Sequence, residues 1–164
     1  EALMQRPQLV LEVAPVVSDE ADRRAMAETQ VDEAVAGAID GDPNSDLTRL
    51  EQQRQVLEAM YDSAGLQPDR ATVAEAHRAE DASGTSQLDI PAYAADLREA
   101  LIVAREVSEL DLSALGLARL DAIRAALTDQ TTLSEERVRS LPAEAVELNE
   151  DGLVQMSLNV TIAD

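Results

Sequence analysis

Cysteine, phenylalanine, tryptophan and lysine are absent from this chain, and histidine occurs once. Without cysteine there is no disulfide, no thiolate metal site and no cysteine nucleophile, and the redox compartment stays open. With two tyrosines as the only aromatic residues, the core must be built from aliphatic side chains. No run approaches the roughly 20 apolar residues that span a bilayer as a helix. Residue 1 is Glu, and no signal-like segment precedes the first strand, so the sequence reads as a piece of a longer chain. The six glycines are scattered rather than gathered into a phosphate loop, and no serine sits in a nucleophile-elbow context. His77 has neither a second histidine nor a cysteine to complete a usual transition-metal ligand set. These absences together argue against an enzyme.

What is abundant is acid. The chain carries 33 acidic residues against 13 basic ones, all arginine, for a formal net charge of -20. A field of that sign repels phosphate backbones and anionic lipid, which argues against nucleic-acid binding and electrostatic membrane docking and leaves cations and basic partners open. Carboxylate pairs such as Glu20 with Asp22, or Glu135 with Glu136, read as solvated helix surface.

At 164 residues and 45% apolar content the chain is expected to form a single α+β domain, residues 1–164. Its last stretch, Leu153 to Ile162, alternates Val154, Met156, Leu158, Val160 and Ile162 with polar residues, the period of a strand with one buried face. Pro7 to Val13 and a short run around Arg137 to Leu141 supply neighbours. The expected architecture is a small mixed sheet from the N- and C-terminal strands, packed against about four main helices.

Those helices are legible in turn. The first starts at Ser18 or Asp19 and runs to about Ile39, with Ala27, Val31, Ala34, Val35 and Ala38 on one face. The second spans Leu47 to Ala64, buries Leu47, Leu50, Leu57, Met60, Tyr61 and Ala64, and ends at Gly65. Thr72 with Glu75 reads as a capping box for a short helix to about Glu80. Residues 81–90, around Gly84, read as a flexible loop. Pro91 opens the third main helix, to about Arg105, with Tyr93, Leu97, Leu101 and Ala104 aligned. The fourth runs from Leu110 to Thr128, capped by Ser108 with Asp111, and shows Leu112, Leu115, Ala122, Ile123, Ala126 and Leu127.

One stretch has ligand spacing. Asp40, Asp42, Asn44, Asp46, Thr48 and Glu51 occupy positions 1, 3, 5, 7, 9 and 12 of a calcium-binding helix-loop-helix, and hard oxygen donors at that spacing suit Ca²⁺. Ser45 stands where such loops need glycine, and Pro43 fixes a neighbouring φ. The same residues also read as an inter-helix turn, with Thr48 and Glu51 as a capping box.

Several passages carry a resemblance. EALMQRPQLVLEVAPVVSDEADRRAM (Glu1 to Met26), LEAMYDSAG (Leu57 to Gly65), LREALIVAREVSELDLSALGLARLDAIRAAL (from Leu97), SEERV and DGLVQMSLNV follow one another in an order and spacing that resemble the C-terminal region of AsmA-like proteins of Gram-negative bacteria, domain-of-unknown-function family 748. The resemblance implies a periplasmic module of a long, inner-membrane-anchored, mostly β-structured chain involved in outer-membrane homeostasis and lipid traffic. A non-enzymatic interaction or capping role with an envelope partner follows from it. ALGLARLDAIRAAL and SEERV are also similar, more distantly, to the OmpA-like peptidoglycan-binding domain. That resemblance implies that Arg119 is a candidate ligand for a diaminopimelate carboxylate. The family's Thr-Asp-x-x-Gly loop has no counterpart in AREVSEL at residues 104–110. The readings on the table are therefore an envelope interaction module, a peptidoglycan anchor using Arg119, and a calcium-binding helix-loop-helix at Asp40 to Glu51.

Overall fold

A computed structural model describes residues 6, 8–40, 48–80, 84–130, 135–149, 154 and 158–162. Along the chain its elements are β1 (Leu9–Val13), β2 (Val16–Val17), α1 (Asp19–Asp40), α2 (Arg49–Ala64), α3 (Arg70–Ala76), β3 (Arg78–Glu80), β4 (Ser86–Leu88), α4 (Ile90–Ala104), α5 (Glu109–Gln130), β5 (Val138–Ser140), β6 (Glu144–Ala145) and β7 (Leu158–Ile162). The class is α+β, and the main sheet is mixed and drawn from both ends of the chain. Contacts divide the chain into two units: Glu1–Arg23 with Val107–Asp164, and Arg24–Glu106.

In the first unit β1 is the middle strand. It runs parallel to β5, pairing Leu11 with Val138, and antiparallel to β7, pairing Leu11 with Val160. Leu11, Val13, Val138 and Leu120 form the core, with Ile123 and Leu127 of α5 packed against it. Leu120 was not in the stripe expected from periodicity, although at 1% exposure it is buried more deeply than Leu112; Ala122 and Ala126, which were expected there, are exposed. Arg137 fastens the start of β1, its guanidinium donating to the Leu9 carbonyl at 2.7 and 2.9 Å and to the Arg6 carbonyl at 2.9 Å. A second, two-stranded parallel ladder joins β2 to β6. There α5 comes close: a Cβ built on Gly116 would lie 3.3 Å from a Val17 methyl and 3.4 Å from Pro15 Cβ.

The second unit is helical. Leu57 and Tyr61 of α2, and Tyr93, Ala94, Leu97, Leu101 and Ile102 of α4, are buried, so both tyrosines lie within this unit. From α1, Ala27, Val31 and Val35 are buried as expected, whereas Ala34 and Ala38 are exposed because the buried stripe is narrower than the apolar pattern. The same narrowing leaves Leu50, Ala64 and Ala104 exposed. Gly65 ends α2 in the left-handed conformation at φ 63°. The short helix starts earlier than Thr72 with Glu75 suggested: Asp69 is its N-cap and accepts the Thr72 amide at 2.8 Å. It also stops at Ala76, since Arg78–Glu80 pairs with Ser86–Leu88 in a hairpin instead of continuing as helix. Within the span 81–90, residues 81–83 lie outside the described residues, Ser86–Leu88 is strand, and Ile90 already begins α4.

Gly37 and Gly116, both within helices, differ in surroundings, and substitutions at them should separate. Gly37 of α1 has open space where the methyl group of an alanine would stand. Gly37→Ala should raise stability by about 0.5–1 kcal/mol from helix propensity. Gly116→Leu should lower it by about 1–3 kcal/mol through overpacking against Val17 and Pro15. Urea unfolding followed by circular dichroism measures both.

Candidate interaction surfaces

Arg119 reaches across the first unit to the first turn of α1. Its Nη1 donates to Asp22 Oδ2 and its Nη2 to Asp22 Oδ1, both at 2.7 Å, and Nη1 also donates to the Val16 carbonyl at 3.1 Å. Asp22 accepts the Ser18 amide at 2.7 Å as well. The Asp22 side chain is 8% exposed, the Arg119 side chain 32%. A bidentate, charge-assisted pair at this burial fixes one helix start against another helix. The Arg119 hydrogen bonds, helped by the Ser18 amide and opposed by burial, hold the Asp22 carboxyl below the usual carboxylate range. Asp22 also offsets the positive end of the α1 dipole. The residue expected to receive an external carboxylate thus holds an internal one, and Asp22 is buried rather than part of a solvated pair with Glu20.

The expected calcium ligands divide. Asp40 ends α1, and Asp42, Asn44 and Asp46 lie outside the described residues. Thr48 and Glu51 form the capping box of α2: Glu51 Oε2 accepts from the Thr48 amide at 2.9 Å and from its hydroxyl at 2.6 Å, and the Glu51 amide donates back to Thr48 Oγ1 at 3.4 Å. Among the described residues no group of three or more His, Asp or Glu side chains is placed to hold a metal ion. His77, expected on an exposed helix, is the C-cap of α3, and its Nε2 lies 2.7 Å from Asp96 Oδ2 of α4. Its ring centroid is 6.4 Å from that of Tyr93.

The sheet supplies a different kind of surface. Residues opposite one another in an antiparallel pair share a face. Leu9, Leu11 and Val13 of β1 stand opposite Ile162, Val160 and Leu158 of β7. On β1 that face is buried at Leu11 (4%) and Val13 (0%) and half-buried at Leu9. On β7 it is open, with Leu158 and Val160 at 52% and Ile162 at 69%. This corrects the expectation that the β7 residues form a buried face. The reason is width: strands lie about 4.8 Å apart, a packed helix occupies about 8–10 Å, and α5 sits over β1 and β5. Among the described residues one helix covers two strands and leaves the third bare.

The Asp22–Arg119 pair makes two predictions. Arg119→Ala should cost about 2–3 kcal/mol, because it leaves a nearly buried carboxylate short of partners, and Arg119→Lys should recover only part of that. Because the folded Asp22 sits below its unfolded value, its contribution is complete above about pH 5 and is lost as pH falls through the folded value. The stability gap between the wild type and Asp22→Asn should therefore be widest near neutrality and close toward strong acid, read by urea unfolding at a series of pH values.

The chain matches no family model, no curated protein and no solved structure.

Proposed function

We propose that this chain is a non-enzymatic interaction or capping module of an AsmA-like envelope protein, periplasmic and part of an inner-membrane-anchored polypeptide. The observation that carries an interaction role is the β7 face: a core that is closed over β1 and β5 and open over Leu158, Val160 and Ile162. Apolar residues on an edge strand are a liability unless a partner covers them. A partner that lays an apolar strand or helix over β7 would complete the layer that α5 begins. The resemblance of the Glu1 to Met26 and Leu97 to Val160 passages to the C-terminal region of the AsmA-like family supplies the context, and nominates the β-rich remainder of the same polypeptide as that partner. No helix among the described residues is long and apolar enough to cross a membrane. Membrane attachment in this reading comes from elsewhere in the polypeptide.

The test is a photo-crosslinking amino acid placed at Val160 of the full-length protein in its native host, with exposed Ala36 as the control position. A crosslink at position 160 to a β-rich segment of the same polypeptide, in the envelope fraction and well above the control, is the expected result. Adducts at 160 no stronger than at 36, or recovery of the protein outside the envelope fraction, would remove the proposal. Sedimentation with purified peptidoglycan is expected to leave the domain in the supernatant, since the Arg119 fork is occupied by Asp22.

A further inference from the structure

The second unit contains an open groove of about 570 Å³, independent of β7 and of any envelope context. Its apolar lining comes from Leu66, Pro68 and Val73 on one side and Ala100, Val103 and Ala104 of α4 on the other. Tyr61 also lines it, held by a hydrogen bond of 2.6 Å from its hydroxyl to the Pro68 carbonyl. Val103 is 73% exposed and adjoins the apolar side chains of Ala100 and Ala104 along the same lining. Two carboxylates, Asp96 and Glu99, line the same groove from successive turns of α4.

Charge decides what such a groove takes. Within Arg24–Glu106 carboxylates outnumber arginines more than two to one. Asp96 bonds His77 and Glu99 grips Arg24 through two bonds of 2.9 Å, yet the two side chains remain 62% and 48% exposed. Each carboxylate has about four acceptor positions, so capacity for further donors remains on both. An acyl chain would suit the apolar lining, but its phosphate or carboxylate head would enter a field of its own sign. A segment with apolar anchors and flanking ammonium or guanidinium groups satisfies both halves of the site. The volume is in the range of grooves that hold a few side chains of a ligand, and an amphipathic helix laid in a groove presents this combination on neighbouring turns.

We infer that the groove between Leu66–Val73 and α4 is a docking site for a basic, amphipathic peptide segment of a partner protein, with its apolar side chains over Val103 and Ala100 and its cations at Asp96 and Glu99. The probe is a fluorescein-labelled Leu/Lys amphipathic helical peptide, titrated with the whole 164-residue chain and read by anisotropy at low and at high salt. Saturable binding is expected. Val103→Asn should weaken it by about tenfold or more, the loss of one aliphatic anchor buried on docking, and Asp96→Asn with Glu99→Gln by about threefold each. Glu33→Gln, which removes an equal charge on α1 outside the groove lining, should leave the affinity within experimental error. Circular dichroism of each variant separates lost docking from lost folding, and because Val103 is exposed the Val103→Asn chain is expected to keep its helical spectrum. Equal binding by Val103→Asn, equal loss in Glu33→Gln, or equal binding of a Leu/Glu peptide would overturn the site. So would Val103-dependent binding to phosphatidylglycerol vesicles in place of the peptide, which would make the groove a lipid site.

Discussion

Everything in the first unit depends on β1 being hydrogen-bonded along both edges by strands from the far end of the sequence. Val138–Ser140 lies on one side and Leu158–Ile162 on the other. A five-residue strand has little stability alone. The three become a layer because Leu11 and Val13 can be buried under Leu120, Ile123 and Leu127. The Arg137 guanidinium on the Leu9 and Arg6 carbonyls, and Arg119 on Asp22 and the Val16 carbonyl, anchor the two ends of the segment that contains β1. The arginines of this unit thus act as connectors between distant stretches of chain.

The same use of arginine explains how so acidic a chain folds. In the second unit Arg98 holds Asp32 through two bonds of 2.7 Å, Arg24 holds Glu99, and Arg70 spans Glu58 and Asp62. These pairs join α1 to α4, and α3 to α2. Arginine suits the task better than lysine, since its planar fork meets both oxygens of one carboxylate. Each exposed pair contributes little by itself. Their value lies in orienting helices whose surfaces otherwise repel one another.

Local signals in the sequence were legible where chemistry is local. Period-two alternation marked β1 and β7, Thr48 with Glu51 and Ser108 with Asp111 marked helix starts, and Gly65 marked a helix end. Thr72 with Glu75 was read as the start of the short helix, and Asp69 three residues earlier was missed. The extended backbone of Asp69 at φ -61° and ψ 157° decides for the earlier one. Arg78–Glu80 read as helix because its strand partner, Ser86–Leu88, is chosen by pairing and not by propensity. Asp22 looked like one more surface carboxylate because its partner lies 97 residues away. The alternation of Leu158, Val160 and Ile162 was plain, but alternation names a face without saying whether anything covers it.

The division of the chain into one contiguous unit and one interrupted unit has a consequence for synthesis. Arg24–Glu106 leaves the ribosome as an uninterrupted stretch, with every contact of that unit available before Val107–Asp164 is made. The β1 strand, made before its partners, must wait for strands more than a hundred residues downstream. Loop closure over that distance is slow compared with helix formation. During elongation the nascent chain therefore carries a helical unit able to form early, preceded by an unpaired apolar strand. The order in which the two units can form is the reverse of the order in which their first residues appear.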